Sequence, residues 1–259
     1  MQVSSRVMSS TVVACAFLAF GCSAPDEVAG QHVSVADPLT SENGLSSING
    51  LNAVNGLNAV NGLNAVNGLN AVNGLSSSTG LMTTAGGRMT VAYLVRCALP
   101  VGHSITKKDQ FGVAYTYNGQ LGFAPEWETG ACQQTCQRYV SACMMAHVNT
   151  AGVHIPLWLD AAKTGVGWGQ DPQYPHQEGS FFGNIFVSPP QAYYCNGKDF
   201  DVGVVPGRLG ANQVGAPYSN PFGGTGYCAD HCTAADIPHE HDGYKACMGN
   251  NNVVTVWRQ

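Results

Sequence analysis

The cysteines of this chain are confined to two places, and that distribution limits its fold more than any other feature. Cys15 and Cys22 lie within and at the end of an apolar leader, none follows for more than seventy residues, and then come Cys97, Cys132, Cys136, Cys143, Cys195, Cys228, Cys232 and Cys247. An even set in one segment is the pattern of an exported domain whose thiols all pair, because disulfides persist in oxidising compartments and are rare in the cytosol. The pairing itself is not readable from the spacing.

The leader reads as a signal peptide over residues 1–21. Arg6 is the only charged side chain before Asp26, and the apolar run 11–20 is shorter than the ~20 residues a membrane helix needs. Ala19 and Gly21 put small residues three and one before Cys22, which suits ordinary cleavage or the lipoprotein route, in which Cys22 is acylated. Ala19 stands where lipoprotein signals usually carry Leu. Parity favours the anchor: with Cys22 acylated, eight thiols remain for four bridges, whereas a free Cys22 leaves one over. The expected location is the cell envelope, held by lipid at the outer membrane, or the medium if Cys22 is free.

With 16 Asp and Glu against 11 Lys and Arg the chain is slightly acidic and has no basic cluster, which excludes nucleic acid as a partner and argues against anionic membrane surfaces. The membrane is therefore expected as a partner only through the anchor. Charged residues make up 10% of the chain, well under the ~25% of an ordinary soluble domain, so Gly, Asn, Ser and Thr carry the polar surface.

After a linker, 22–42, residues 43–84 form seven hexads, with Asn49-Gly50-Leu51-Asn52-Ala53-Val54 repeated unchanged from 55, 61 and 67. A period of six cannot make an amphipathic helix. It suits a low-complexity spacer, a meander turning at each Asn-Gly pair, or a short hexapeptide β-helix. The spacer reading is preferred, because aromatic and charged side chains are absent and a glycine in every hexad raises the entropy cost of order. As a random coil, residues 23–85 would span about 45 Å.

The folded domain is expected over 88–259, as a disulfide-stapled, β-rich α+β unit with one or two N-terminal helices. A helix is predicted over 131–148, capped by Thr129, with Cys132, Cys136, Val140, Cys143 and His147 on one face. That face would be the hub of the covalent framework, and His147 would sit near the helix's negative end. Residues 88–99 fit either a strand or a helix ended by Pro100, with helix preferred. Strands are predicted at 104–106 and 113–118 around a turn at 107–112, then at 153–159, 180–188, 192–195, 200–205 and 252–258, with a Gly-rich loop at 207–226.

The segments Val95-Arg96-Cys97-Ala98-Leu99-Pro100, Gly122-Phe123-Ala124-Pro125-Glu126-Trp127, Val140-Ser141-Ala142-Cys143 and Val253-Val254-Thr255-Val256-Trp257-Arg258 resemble secreted, cysteine-rich envelope proteins of social, predatory soil bacteria. Many of these carry similar Asn-Gly-Leu spacers. The group has no assigned activity, so the resemblance implies a compartment and an architecture and transfers no functional residue.

Candidate chemistry is sparse. Asp230, His231, His239, His241 and Asp242 form the densest polar cluster, in which His239 and His241 with Asp242 or His231 offer nitrogen and oxygen ligands to a divalent ion. The zincin His-Glu-x-x-His spacing is absent, so the cluster reads first as a solvated loop and no cofactor is expected beyond such an ion. Both CxxxC pairs, Cys132/Cys136 and Cys228/Cys232, could suggest metal or redox chemistry, but in an oxidising compartment their cysteines read as half-cystines, with partners left open. Residues 167–178 set Trp168 and Tyr174 beside amides and Glu178, the chemistry of a sugar-binding loop, although the same rings can simply cap the core. Surface binding, with a glycan or a surface protein as partner, is thus the expected role. The alternative is a secreted hydrolase, acting on glycans or through a metal. It has carboxylates in Glu126, Glu128, Asp160, Asp171 and Glu178, but no Gly-x-Ser-x-Gly elbow and no recognised nucleophile.

Overall fold

Strand β1 (Thr40–Glu42) and strand β2 (Leu45–Ser46) come from the end of the linker and the first hexad. The computed structural model describes residues 40–42, 45–46, 80–149, 155–169, 171–187, 189–202, 223–235 and 243–259, all within the unit Ser34–Gln259. The signal peptide, Cys22, the internal hexads and His239, His241 and Asp242 lie outside the described residues.

A single 3-10 turn, Leu81–Thr83, precedes helix α1 (Ala85–Ala98). Thr84 caps α1, its hydroxyl accepting the Gly87 N–H at 3.0 Å. The helix stops where it must, since Pro100 disfavours helical geometry at Leu99, which is extended. One face buries Val91, Leu94, Val95, Cys97 and Ala98. Leu81 and Met82 are buried too, and Tyr117 donates its hydroxyl to the Met82 sulfur at 3.3 Å. The folded unit therefore starts before Arg88, and the last hexad belongs to the core rather than to the spacer.

Strands β3 (Ser104–Lys108) and β4 (Ala114–Asn118) form an antiparallel hairpin with Thr106 opposite Thr116. A 3-10 turn, Pro125–Glu128, buries Trp127, and Thr129 ends that turn instead of capping the next helix. Helix α2 (Gln134–Ala146) begins after Gln133, which makes no side-chain cap. The Cys132–Cys136 bridge and the Gln137 amide, which donates to the Cys132 carbonyl at 2.9 Å, fix this end instead. At the other end His147 is wholly buried, with Nδ1 donating to the Cys143 carbonyl at 2.8 Å.

Strand β5 (Val148–Asn149) pairs in parallel with β2. Strands β6 (Pro156–Asp160), β7 (His176–Asn184), β8 (Gln191–Asn196) and β9 (Gly223–Tyr227) follow. Next are the one-turn helix α3 (Cys228–His231), the hairpin strands β10 (Cys232–Ala234) and β11 (Tyr244–Cys247), and β12 (Val254–Arg258). The main sheet runs β1-β6-β12-β7-β8-β9, antiparallel except for the parallel pair β8–β9. Two expectations are corrected here. Residues 223–227 form a strand although they read as loop, and Phe200 to Val202 form a turn where a strand was expected.

Period-2 alternation sorts the sheet's residues between two faces. Phe181, Tyr194, Val254 and Val256 join the main core beneath α1 and α2, whereas Phe182, Cys195 and Val253 join a second cluster with Cys228 and Cys247. Ser180 and Thr255 share a hydroxyl hydrogen bond at 2.9 Å, and the Ser141 hydroxyl accepts the Ile185 N–H at 3.0 Å, tying α2 to the end of β7.

Four disulfides complete the α+β domain: Cys97–Cys143, Cys132–Cys136, Cys195–Cys228 and Cys232–Cys247. Only Cys143 links α2 to another element, so α2 is not the hub that its three half-cystines suggested. Each such bridge contributes about 2–5 kcal/mol in a secreted domain. They assign the domain to an oxidising compartment, extracellular or within the envelope. No helix among the described residues is long and apolar enough to cross a membrane.

Candidate functional site at the tip of the first hairpin

The β3–β4 turn presents an aromatic ring to solvent on a closely tied backbone. Asp109 is turned inward, its Oδ1 accepting the N–H groups of Phe111 at 2.9 Å and Val113 at 3.0 Å and its Oδ2 accepting the Tyr115 hydroxyl at 3.2 Å. The Asp109 N–H also donates to the Val113 carbonyl at 3.0 Å, and Gly112 supplies the left-handed backbone at φ +82 that closes the loop. Burial acts to raise the Asp109 carboxyl. The bonds from Phe111, Val113 and Tyr115, with the Arg88 charge, outweigh it and hold the group below the ordinary carboxylate value.

The result is an outward-pointing Phe111, 81% exposed, next to Val113 at 51%. Behind it runs a polar strip, Ser104, Thr106 and Lys108 facing Asn118, Thr116 and Ala114, all exposed. The Thr106 and Thr116 hydroxyls are 3.0 Å apart. The opposite side anchors the hairpin through Ile105 and Tyr117, and burial pushes the Tyr117 hydroxyl up to about 12. An exposed ring beside hydroxyl, amide and ammonium groups can stack on an apolar ligand face and hydrogen-bond its polar edge.

The residues singled out from sequence lie elsewhere. Tyr174 is 5% exposed and packs in the main core, its ring centroid 6.3 Å from that of Trp158. Trp168 is half-buried against Gly243, where a Cβ would clash with its ring. Glu178 is 9% exposed within β7, with Oε1 4.0 Å from Nε of the buried Arg258. Arg258 in turn donates to the Asp199 and Phe200 carbonyls at 2.9 and 3.1 Å. The Trp168, Tyr174 and Glu178 set therefore does not form an exposed platform, and the expectation of a sugar-binding loop there is corrected. Two of its three members cover or fill apolar interior.

The carboxylates considered for hydrolysis are likewise engaged. Glu128 pairs with His103 at 2.7 Å and Glu126 with Lys163 at 3.6 Å. Asp160 is buried, accepting from Trp158 Nε1 at 2.9 Å, and Asp171 accepts the Gln173 N–H at 2.8 Å in a local turn. Among the described residues, two groups have ligand-like spacing, Cys97 with Cys143 and His147, and Cys195 with Cys228 and Cys232, the atoms of each lying within 4.8 Å of one another. Every one of those sulfurs is in a disulfide, and it is the thiolate that serves as a metal ligand.

No family model, curated protein or solved structure matches the chain. Phe111 was missed because its segment reads simply as a turn. The available signal was a large apolar ring between Asp109 and Gly112, where turns ordinarily carry small or polar residues.

Proposed function

We propose that this chain is an exported envelope protein, held through acylated Cys22, that binds carbohydrate with the β3–β4 hairpin. The observation that carries this reading is the 81% exposure of Phe111 on a turn whose backbone Asp109 fixes. Exposing such a ring forgoes the ~1.5–3 kcal/mol its burial would contribute, and a pre-tied loop loses little entropy when a ligand docks. The adjoining Thr106, Lys108, Thr116 and Asn118 supply the donors and acceptors that sugar hydroxyls require.

The test is retention of the full chain on insoluble polysaccharides, with chitin and isolated peptidoglycan as probes. Wild type is retained, and Phe111→Ala lowers affinity about tenfold, the equivalent of ~1.4 kcal/mol. Equal retention of the variant, or no retention of wild type on either polymer, contradicts the reading.

A further inference from the structure

Two of the four disulfides touch each other. Cys228 opens the single turn of α3 and Cys232 ends it, so the two lie four residues apart on one side of a helical turn. They are not bonded to each other. Cys228 reaches across to Cys195 on β8, while Cys232 pairs with Cys247, its cross-strand neighbour in the β10–β11 hairpin. This arrangement brings Sγ of Cys232 to 3.5 Å from Sγ of Cys195, and places Sγ of Cys195, Cys228 and Cys232 within 4.8 Å of one another. Access differs sharply within the cluster. Cys195, Cys228 and Cys247 are buried, and Cys232 is the member that reaches solvent.

We propose that these four cysteines form a thiol–disulfide exchange site, with Cys232 as the sulfur through which a small dithiol reductant reaches the buried Cys195–Cys228 bridge. In the first stage one thiolate of the dithiol attacks Sγ of Cys232, breaking its bond to Cys247, whose sulfur leaves as thiolate and takes a proton. The second thiol of the reductant then displaces Cys232, so the reductant becomes a cyclic disulfide and the Cys232–Cys247 bridge has gained two electrons. In the second stage the freed Cys232 thiolate attacks Sγ of Cys195, forming Cys195–Cys232 and expelling Cys228 as thiolate. No electron is gained or lost in that stage; the bridge moves by one partner. The contact between Cys232 and Cys195 makes the second stage intramolecular, so it does not depend on solvent reaching Cys195.

The deciding experiment uses the full chain carrying Cys247→Ser, which leaves Cys232 as a thiol beside an intact bridge. The oxidised variant is held at about pH 8, where a thiol of pKa ~8.5 is partly ionised. It is then acid-quenched, alkylated without reductant and mapped by peptide mass spectrometry. The expected result is a crossed Cys195–Cys232 peptide with label divided between Cys228 and Cys232. Label confined to Cys232, with Cys195–Cys228 intact in every molecule, overturns the proposal.

Because that variant has lost a bridge and can fail to fold, the same map is made on wild type during limited reduction by dithiothreitol under native conditions. The relay predicts that the crossed peptide appears while Cys97–Cys143 is intact and near-ultraviolet circular dichroism is unchanged. Survival of Cys195–Cys228 until the dichroism collapses overturns it. The double variant Cys232→Ser, Cys247→Ser separates relay from shielding. Removing the outer sulfurs slows reduction of Cys195–Cys228 at least about tenfold if the exchange runs through Cys232, whereas a bridge protected only by the fold opens faster once its neighbour is gone.

Discussion

At the scale of single residues, Asp109 and Tyr117 control the hairpin from inside and carry opposite pH signatures. Asp109 titrates below its ordinary value in the folded chain, so its contribution is present above the unfolded carboxyl pKa of about 3.9 and is lost as pH falls through the lower folded value. Asp109→Asn removes the charge and half of the acceptors while keeping the shape. It is expected to loosen residues 109–113 and weaken polysaccharide retention with the rest of the domain folded, a result read as new proteolytic cleavage at the tip. An uncut tip would mean that the backbone holds the turn without the carboxylate. Tyr117 is the reverse case: its hydroxyl, at about 12 in the fold, is raised from an unfolded value near 10. Its contribution is complete below pH ~10 and is lost as pH rises toward 12. The tyrosinate absorbance that wild type shows in excess of Tyr117→Phe should therefore rise together with loss of structure in that window, and a reversible rise of this difference with the fold intact would show that Tyr117 is not held by burial.

At the scale of elements, the boundary between spacer and domain makes the clearest prediction. Met82 is fully buried against Tyr117, so Met82→Ala is expected to cost about 2–4 kcal/mol and lower the thermal midpoint by at least ~5 °C. Removing two internal hexads, residues 55–66, takes away no cysteine, charge or aromatic ring and should shift the midpoint by less than about 2 °C. A larger shift from that deletion would mean that the repeats support the domain. The same comparison shows what was legible beforehand. Helix α2 and strands β3, β4, β7, β8 and β12 announce themselves through periodicity and bounding Gly or Pro, because hydrophobic pattern is a local property. Strand β9 does not, since Gly223 and Gly224 carry no pattern; their use is to let the strand lie close to the rings of Tyr193 and Tyr194, where a Cβ would sit only 3.0 Å away. Tyr174 and Trp168 misled for a related reason. Neighbouring Gly and Pro mark a loop, but loop residues can still point inward, and only tertiary packing decides which do.

At the scale of the whole molecule, covalent links hold the long loops of the domain, and the number of half-cystines is legible in the sequence whereas their partners are not. Eight cysteines allow 105 pairings, and the one adopted depends on which strands meet in the sheet, a non-local outcome. Local spacing does not decide it: Cys132/Cys136 closes on itself, whereas the identically spaced Cys228/Cys232 does not. The proposed anchor is tested by fractionating cells that express Cys22→Ser, which should release the protein from the membrane fraction; unchanged association would remove the lipid from the account. The central claim, that all eight domain cysteines are paired in one defined framework, is tested most directly by peptide mapping of the purified full chain, alkylated in acid without reductant. The expected map holds the four cross-linked peptides Cys97–Cys143, Cys132–Cys136, Cys195–Cys228 and Cys232–Cys247, with no label on any of these residues. Label on two or more of them in natively folded protein, or a different set of partners, would contradict it.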